Sequence, residues 1–415
     1  MTIEITRREA TARNPQVIYV NTSEQLAEVC AKMAPSRRLA IDTEFVGEKY
    51  YYPRLELLQL ADEHIIALID APAIADLSPL AELLGDPKRL KILHAAGQDL
   101  EIMKRALGRD PLPIFDTQVA ASMLGQGAQI SLAGLIKGVL GVDVSGKQTT
   151  SDWTHRPLSQ DQLEYAAEDV RHLLDLHDVL SSELKLHGRN SWYEDEQESR
   201  VRTALSEDAR PDREFYSRVK DWMSLRGKEL AVLRELAEWR ELTARSRNQP
   251  RKTILTEEGL IELARFQPLT KEAAQKLRRV NVGQIVKNFP ELKRCIETGR
   301  ALPKDQWPVK TTGERPDIPT GLLELCQALL RSVAEASQIA PTVLATTSDL
   351  QQLITRRADL DSLDNPLLTG WRRDLAGQKI VDLLRGRIQV TVNEDGGLLF
   401  GDVERTPKPG SESSG

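Results

Sequence analysis

The stretch Leu39-Ala40-Ile41-Asp42-Thr43-Glu44-Phe45 ends a short apolar run in two carboxylates two residues apart. In a β-strand side chains alternate with period two, so Asp42 and Glu44 share a face. Two ionised carboxylates side by side repel each other, and a fold that keeps them close usually gives them a cation to share. Alone, an Asp-x-Glu pair reads more readily as the charged end of a surface strand. Two further acidic positions change that. Asp99 follows the predicted strand Arg89 to His94 and the small residues Ala95-Ala96-Gly97, and so stands near a strand-to-helix junction, where open α/β sheets collect ligands. Asp169 follows Tyr165 by four residues in a helical pattern, so the two share a helix face. Four carboxylates from three elements can converge at one sheet edge. Oxygen-only donors suit Mg²⁺ or Mn²⁺ and not zinc. Two such ions roughly 3.5–4 Å apart can clamp a scissile phosphate, and a tyrosine hydroxyl one turn from a ligand can orient the attacking water.

The elements that must position these residues are legible in order. Val17 to Val20 reads as a strand, and a helix capped from Asn21, Thr22 or Ser23 runs to about Met33. Leu39 to Phe45 is the strand already described. The runs Leu55 to Ala61 and His64 to Asp70 meet at Asp62-Glu63, a hairpin. Helical periodicity follows Ser78 to Leu84, then comes the strand Arg89 to His94. Ile114-Phe115-Asp116-Thr117 opens a short strand and helix, with Asp116 read as an N-cap and not as a fifth ligand. Further helices are expected at Ser131–Leu140 and, as one long helix, at Ser159–His187. The mixture predicts an α/β domain ending near residue 190.

A chain of 415 residues exceeds one ordinary core, so two or three domains are expected. Hydrophobic content of 40% and charged content of 28% describe a soluble globular protein with no bilayer-spanning run. The stretch Met1 to Glu9 lacks the apolar core of a signal peptide. Cys30, Cys295 and Cys326 lie far apart without metal-ligand spacing, which fits a reducing cytoplasm. The net charge of -6 is unevenly spread: residues 1–210 carry 23 Lys+Arg against 33 Asp+Glu, residues 211–300 carry 20 against 13, and residues 301–415 carry 13 against 16. The acidic first part suits metal ions and the basic middle part suits phosphates.

Beyond the polar stretch Trp192 to Arg213 the pattern is almost wholly helical. Thr253-Ile254-Leu255-Thr256-Glu257-Glu258-Gly259-Leu260 has a weak echo, with one inserted residue, in Thr342 to Leu350. Each segment follows a long helix and a proline-containing break, which suggests two related helical modules. A final helical run is expected through Trp371 and Leu383. The tail 406–415 is Pro, Gly, Ser and Glu-rich and is read as disordered. The basic segments Arg245–Lys252 and Lys276–Arg279 are candidate phosphate contacts, or equally a solvated helical surface.

Ile41-Asp42-Thr43-Glu44-Phe45, His94-Ala95-Ala96-Gly97-Gln98-Asp99-Leu100 and Tyr165-Ala166-Ala167-Glu168-Asp169-Val170 resemble the three exonuclease motifs of the DEDD superfamily. The tyrosine four residues before the last aspartate is the mark of the DEDDy subclass. Trp153-Thr154-His155-Arg156-Pro157-Leu158, Phe115-Asp116-Thr117-Gln118 and Leu57-Leu58-Gln59-Leu60 are similar to segments of the ribonuclease D family. Residues 214–295, notably Ala237-Glu238-Trp239-Arg240 through Pro250-Arg251, resemble the helical HRDC module, and 317–395 a divergent second copy.

The resemblance implies an α/β ribonuclease H-like DEDDy exonuclease domain over 1–200, an HRDC domain over 211–300 and a divergent HRDC-like domain over 315–400. It implies that Asp42, Glu44, Asp99 and Asp169 bind two divalent ions, Mg²⁺ or Mn²⁺, and that Tyr165 positions the attacking water. Thr43, Phe45 and His94 are candidates for touching the terminal nucleotide. Phe45 can stack on a base or sit in the core, and His94 can instead cap its strand. Tyr50, Tyr51 and Tyr52 either line the cleft or stabilise a loop. The expected activity is metal-dependent 3′-to-5′ trimming of RNA precursors with a free 3′ end, tRNA in particular, releasing nucleoside 5′-monophosphates. The expected protein is a cytoplasmic monomer without a membrane partner. A 3′-to-5′ DNA exonuclease, or a non-catalytic nucleic-acid-binding protein on the same scaffold, are the alternatives.

Overall fold

The computed structural model describes residues 5, 15–144, 151–206, 212–309, 318–394 and 397–403. The expected tail at 406–415 lies outside the described residues. The first domain is built on strands β1 (Gln16–Val20), β2 (Arg38–Val46), β3 (Arg54–Ala61), β4 (Ile65–Asp70), β5 (Leu90–Leu93) and β6 (Ile114–Asp116). They form one sheet in the order β1-β4-β3-β2-β5-β6. The consecutive strands β2, β3 and β4 run antiparallel, and β1, β5 and β6 join in parallel. Both faces are covered, which is why β3 is buried from Leu55 to Ala61 without a polar side facing water.

Helices α1 (Ser23–Met33), α2 (Ser78–Leu84) and α3 (Gly97–Leu107) pack on one face, against Leu39, Ile41, Leu58 and Leu60. Helices α4 (Thr117–Met123), α5 (Leu132–Leu140), α6 (Gln160–Arg171) and α7 (Leu173–Leu186) cover the other, against Ala40, Leu57, Ala61 and Leu68. Thr22, Asp116, Ser131 and Ser159 cap α1, α4, α5 and α6 with their side chains. Asp116 also accepts from the backbone N–H groups of Ala95 and Ala96 at 3.0 and 2.9 Å, which fixes the entry to α3. The single helix expected over Ser159–His187 is two. His172, at φ -103° and ψ -3°, breaks it between α6 and α7. Helix α8 (Asn190–Leu205) closes the domain against α3.

The second module comprises α9 (Lys228–Arg247), α10 (Arg251–Ile254), α11 (Glu257–Phe266), α12 (Lys271–Gln275) and α13 (Val282–Ala301) around its own core. A third follows with α14 (Thr320–Ala336), α15 (Pro341–Leu344) and α16 (Thr347–Thr355). It continues as α17 (Gly370–Arg372), a π-helical turn over Arg373–Gly377, and α18 (Gln378–Leu384). The weak repeat has a structural counterpart. In each module a long helix ends at a left-handed residue, Asn248 or Gln338. A four-residue helix follows, and then a helix capped by Thr256 or Thr346. The last helical run, expected through Trp371 and Leu383, ends at Leu384. An antiparallel hairpin of β7 (Ile388–Val392) and β8 (Leu398–Asp402) follows it.

Candidate active site

Ladder bonds between β2 and β5 cover only Arg38–Ala40. The outer half of β2, with Asp42 and Glu44, therefore projects past its neighbour. Alternation continues the Ala40 face through both carboxylates, and that face lies beneath α6. Ala166 and Ala167 are buried where α6 meets the sheet. These small side chains let the helix approach closely enough for the short side chain of Asp169 to reach the strand. Oxygens of Asp42, Glu44 and Asp169 lie within 4.8 Å of one another.

Asp99 stands beside this cluster. It comes from the first turn of α3, on the opposite side of the sheet, and its Oδ1 accepts from Thr43 Oγ1. Its charge nevertheless acts on both Asp42 and Glu44.

Burial is the main cause that pushes every one of these carboxyls up. Asp42 rises well above its usual range, with added repulsion from Asp99, Asp169 and Glu44. Glu44 is pushed up to about 8, with repulsion from Asp169 and Asp99. Asp169 rises to about 7 despite the hydrogen bond from Tyr165, and Asp99 to about 6 despite that from Thr43. Burial and the neighbouring carboxylates keep the Tyr165 hydroxyl protonated. Among the described residues, none of Asp42, Glu44 and Asp169 makes a salt bridge. Three converging, oxygen-only donors without a basic partner fit a hard divalent cation.

The other candidates sit apart from the three-carboxylate face. Thr43 and Phe45 alternate away from Asp42 and Glu44. Thr43 is buried on Asp99, and Phe45 packs half-buried against the core under α1 to α3. His94 has both ring nitrogens engaged, Nδ1 with Thr117 Oγ1 at 2.9 Å and Nε2 with the Ile130 carbonyl at 3.0 Å. Burial pushes its pKa down.

Arg156, within the segment Trp153–Leu158, has a role that its sequence position does not show. It bonds both oxygens of Asp70 at 2.6 and 2.8 Å, the Glu56 carbonyl at 3.1 Å and the Trp153 carbonyl at 2.6 Å. Tyr19 adds a hydroxyl to Asp70 at 2.5 Å. This clamp fastens the loop before α6 to β3 and β4, and so fixes where Tyr165 and Asp169 start.

Two of the three tyrosines of the β2–β3 loop bond the second module, and the third, Tyr50, lies against Arg54. Tyr51 donates its hydroxyl to Glu241 and accepts from Arg245 and Arg251 at 3.0 and 3.1 Å. The Tyr52 N–H donates to Asn248 at 3.0 Å. Arg251 also pairs with Glu241 at 2.5 Å, so two arginines of the basic segment Arg245–Lys252 are engaged by Glu241 and Tyr51. Lys252, Lys276, Arg278 and Arg279 remain exposed.

A mixed sheet with carboxylates at one strand edge, followed by helical modules, is the frame of a 3′-5′ exonuclease. The family model described as 3′-5′ exonuclease matches residues 17–185, and that of the HRDC domain matches 229–296. The chain is 35% identical to ribonuclease D of Granulibacter bethesdensis, over 93% of this chain and 97% of that protein. It is 36% identical to ribonuclease D of Nitrobacter hamburgensis, over 90% and 97%. Among solved structures it superposes on Escherichia coli RNase D, described as an exoribonuclease involved in structured RNA processing. The TM-score is 0.80 at 30% identity, covering 90% of this chain and 99% of that one. The chain belongs to the ribonuclease D family, and by that membership it is a 3′-5′ exoribonuclease.

Proposed function

We propose that this exoribonuclease hydrolyses the 3′-terminal phosphodiester with two divalent cations, Mg²⁺ or Mn²⁺. In this reading it releases nucleoside 5′-monophosphates and trims 3′ ends of RNA precursors, notably tRNA. The observation that carries the reading is the convergence of Asp42, Glu44 and Asp169 oxygens within 4.8 Å, with Asp99 beside them. These four carboxylates would hold the cations. When bound, the pair supplies charge neutralisation for the scissile phosphate and an activated water.

The protein groups divide the remaining work. Tyr165 keeps its proton, stays hydrogen-bonded to Asp169 and orients the attacking water over the site. Thr43 holds Asp99. His94, tied to Thr117 and Ile130, supports the β5 end from which α3 departs. Phe45 is the remaining candidate for stacking on the terminal base. The exposed Lys252, Lys276, Arg278 and Arg279 would track phosphates without reading sequence, which suits an enzyme that must advance along a strand.

Residues 1–200 form the exonuclease domain in this reading, 211–300 the HRDC domain and 315–400 a divergent HRDC-like domain. The shared helix order and paired threonine caps support the last assignment. The reading extends to a cytoplasmic monomer. Its three cysteines are free and buried, which suits a reducing compartment. Among the described residues no helix is long and apolar enough to cross a membrane.

The test is a time course on 5′-labelled single-stranded RNA with a free 3′-hydroxyl, in Mg²⁺, Mn²⁺ or EDTA, beside matched DNA. The expected result is a ladder shortening from the 3′ end that needs metal, favours RNA and releases 5′-monophosphates. Equal cleavage in EDTA would overturn the metal reading. Preference for DNA would overturn the substrate, and binding without cleavage in either metal would leave a non-catalytic scaffold.

A further inference from the structure

Gln59 lies in the middle of β3, opposite Asp42 on β2 and opposite Leu68 on β4. Its side chain is fully buried, and neither the amide oxygen nor the amide nitrogen has a hydrogen-bond partner. The other residues from Leu57 to Ala61 are apolar and buried. An unpartnered amide at such a place is destabilising, and leucine would suit the strand better. The amide therefore points to a partner.

Its position says which partner. Gln59 alternates onto the face of Leu57 and Ala61, which pack beneath α6, and Asp42 continues that same face from Ala40. Residues directly opposite in antiparallel strands hold their Cβ atoms about 4.5–5.5 Å apart, within the span of one glutamine side chain. Of the neighbouring acids, Asp99 accepts from Thr43 and Asp169 from Tyr165, while Glu44 stands opposite Leu57 and not Gln59. Asp42 has the backbone N–H of Thr43 and no side-chain donor among the described residues. A ligating carboxylate is held and tuned by a hydrogen bond to its remaining oxygen, and a glutamine amide offers two N–H groups for that purpose.

We propose that Gln59 is a positioning residue for Asp42: its amide donates to the Asp42 oxygen turned away from the cations, directly or through one water, and so fixes that carboxylate for metal. This rests on the metal reading given above. Gln59 makes no contact with substrate in this scheme.

The test uses the full-length protein and Gln59→Met, which removes both amide groups at similar volume. Each is titrated with Mn²⁺ by calorimetry, and each is melted without metal. The variant should melt at the wild-type Tm or above, because an unpartnered amide is gone. Its Mn²⁺ affinity should fall by about 10-fold or more. Mn²⁺ affinity within about twofold of wild type overturns the proposal, and a lowered Tm with unchanged affinity marks a packing role and overturns it equally. A crystal structure of the wild-type protein with Mg²⁺ tests it without any variant. Gln59 Nε2 must then lie within hydrogen-bond distance of Asp42 or of a water bound to Asp42. Neither contact overturns the proposal. A wild-type protein that binds no Mn²⁺ overturns the metal reading and this inference together, whereas equal binding by both proteins overturns only the role of Gln59.

Discussion

Asp169 brings a third negative group against Asp42 and Glu44, so it opposes folding by itself, and in the proposed reading it serves only with a cation. Asp169→Asn is expected to lower RNA cleavage by more than about 100-fold, beyond the usual effect of losing a residue that merely supports a ligand. RNA binding should persist, because the exposed basic residues are untouched. Loss of binding together with cleavage, in a variant whose circular dichroism is unchanged, would count against this role. The pH dependence follows from the same crowding. Glu44, Asp169 and Asp99 rise to about 8, 7 and 6 in the fold, from unfolded values near 4. The native state then holds protons that the unfolded chain releases. The stability that these groups contribute is fully present below about pH 4 and falls as pH rises toward about 8. Mn²⁺ favours the ionised forms, so the Tm gain on adding Mn²⁺ should grow between about pH 5.5 and 8. A gain independent of pH would mean the cation binds elsewhere. Asp42, Glu44, Tyr165 and Asp169 were legible in the sequence because period two on a strand and period four on a helix each fix a face. Those rules also put Thr43 and Phe45 on the opposite face. They say nothing of where Thr43 turns its hydroxyl or of the clamp made by Arg156, since both depend on partners more than 50 residues away.

Tyr51 and its loop join the outer end of β2 to α9, so the element that carries Asp42 and Glu44 also anchors the HRDC module. The Glu241 carboxylate is only 1% exposed and depends on Tyr51, Arg245 and Arg251 for its partners. Tyr51→Phe keeps the ring and removes the hydroxyl shared among these charges. The expected cost is about 1.5–3 kcal/mol, the range for hydrogen bonds to charged groups, read as a lower midpoint in urea. Cleavage of a short oligonucleotide should be spared. An unchanged midpoint would show that Glu241 is satisfied by its arginines alone. At this scale the sequence was informative wherever a cap stood at an element's edge, as at Thr22, Ser131 and Ser159. It was silent at His172, where helical periodicity continues through a real break that only the packing of α7 reveals. The β7–β8 hairpin was missed for a different reason. The alternation in Ile388-Gln389-Val390-Thr391-Val392 and the turn-forming Asn393-Glu394-Asp395-Gly396-Gly397 are strand signals, but they follow directly on a long helical pattern.

The third module is joined to the exonuclease domain as one hydrophobic body, and this changes what a truncation can measure. Core residues of α14, α16 and α18 are continuous with those of α4 to α7. Trp371 stacks on Trp192 at 5.2 Å with an 18° tilt, and Arg372 pairs with Glu196 at 2.7 Å. Arg189 reaches the carbonyls of both Met123 and Ser337, at 2.5 and 2.6 Å. The second module, by contrast, has a separate core. Cutting the chain after residue 309 would expose Trp192 and leave the buried Glu196 with Arg200 alone. Removing one partner from a buried ion pair costs about 3–5 kcal/mol, with the lower end expected here because Arg200 stays. Loss of the aromatic stack adds about 0.5–1.5 kcal/mol. A chain ending at residue 309 should therefore melt well below the full-length protein and lose Mn²⁺-dependent cleavage of even a short oligonucleotide on mild heating. If the third module were only an RNA-binding appendage, the exonuclease domain would melt unchanged and only long RNA would bind more weakly. Comparing the two chains by calorimetry, each with and without Mn²⁺, decides between an RNA-binding arm and a third module that braces α8.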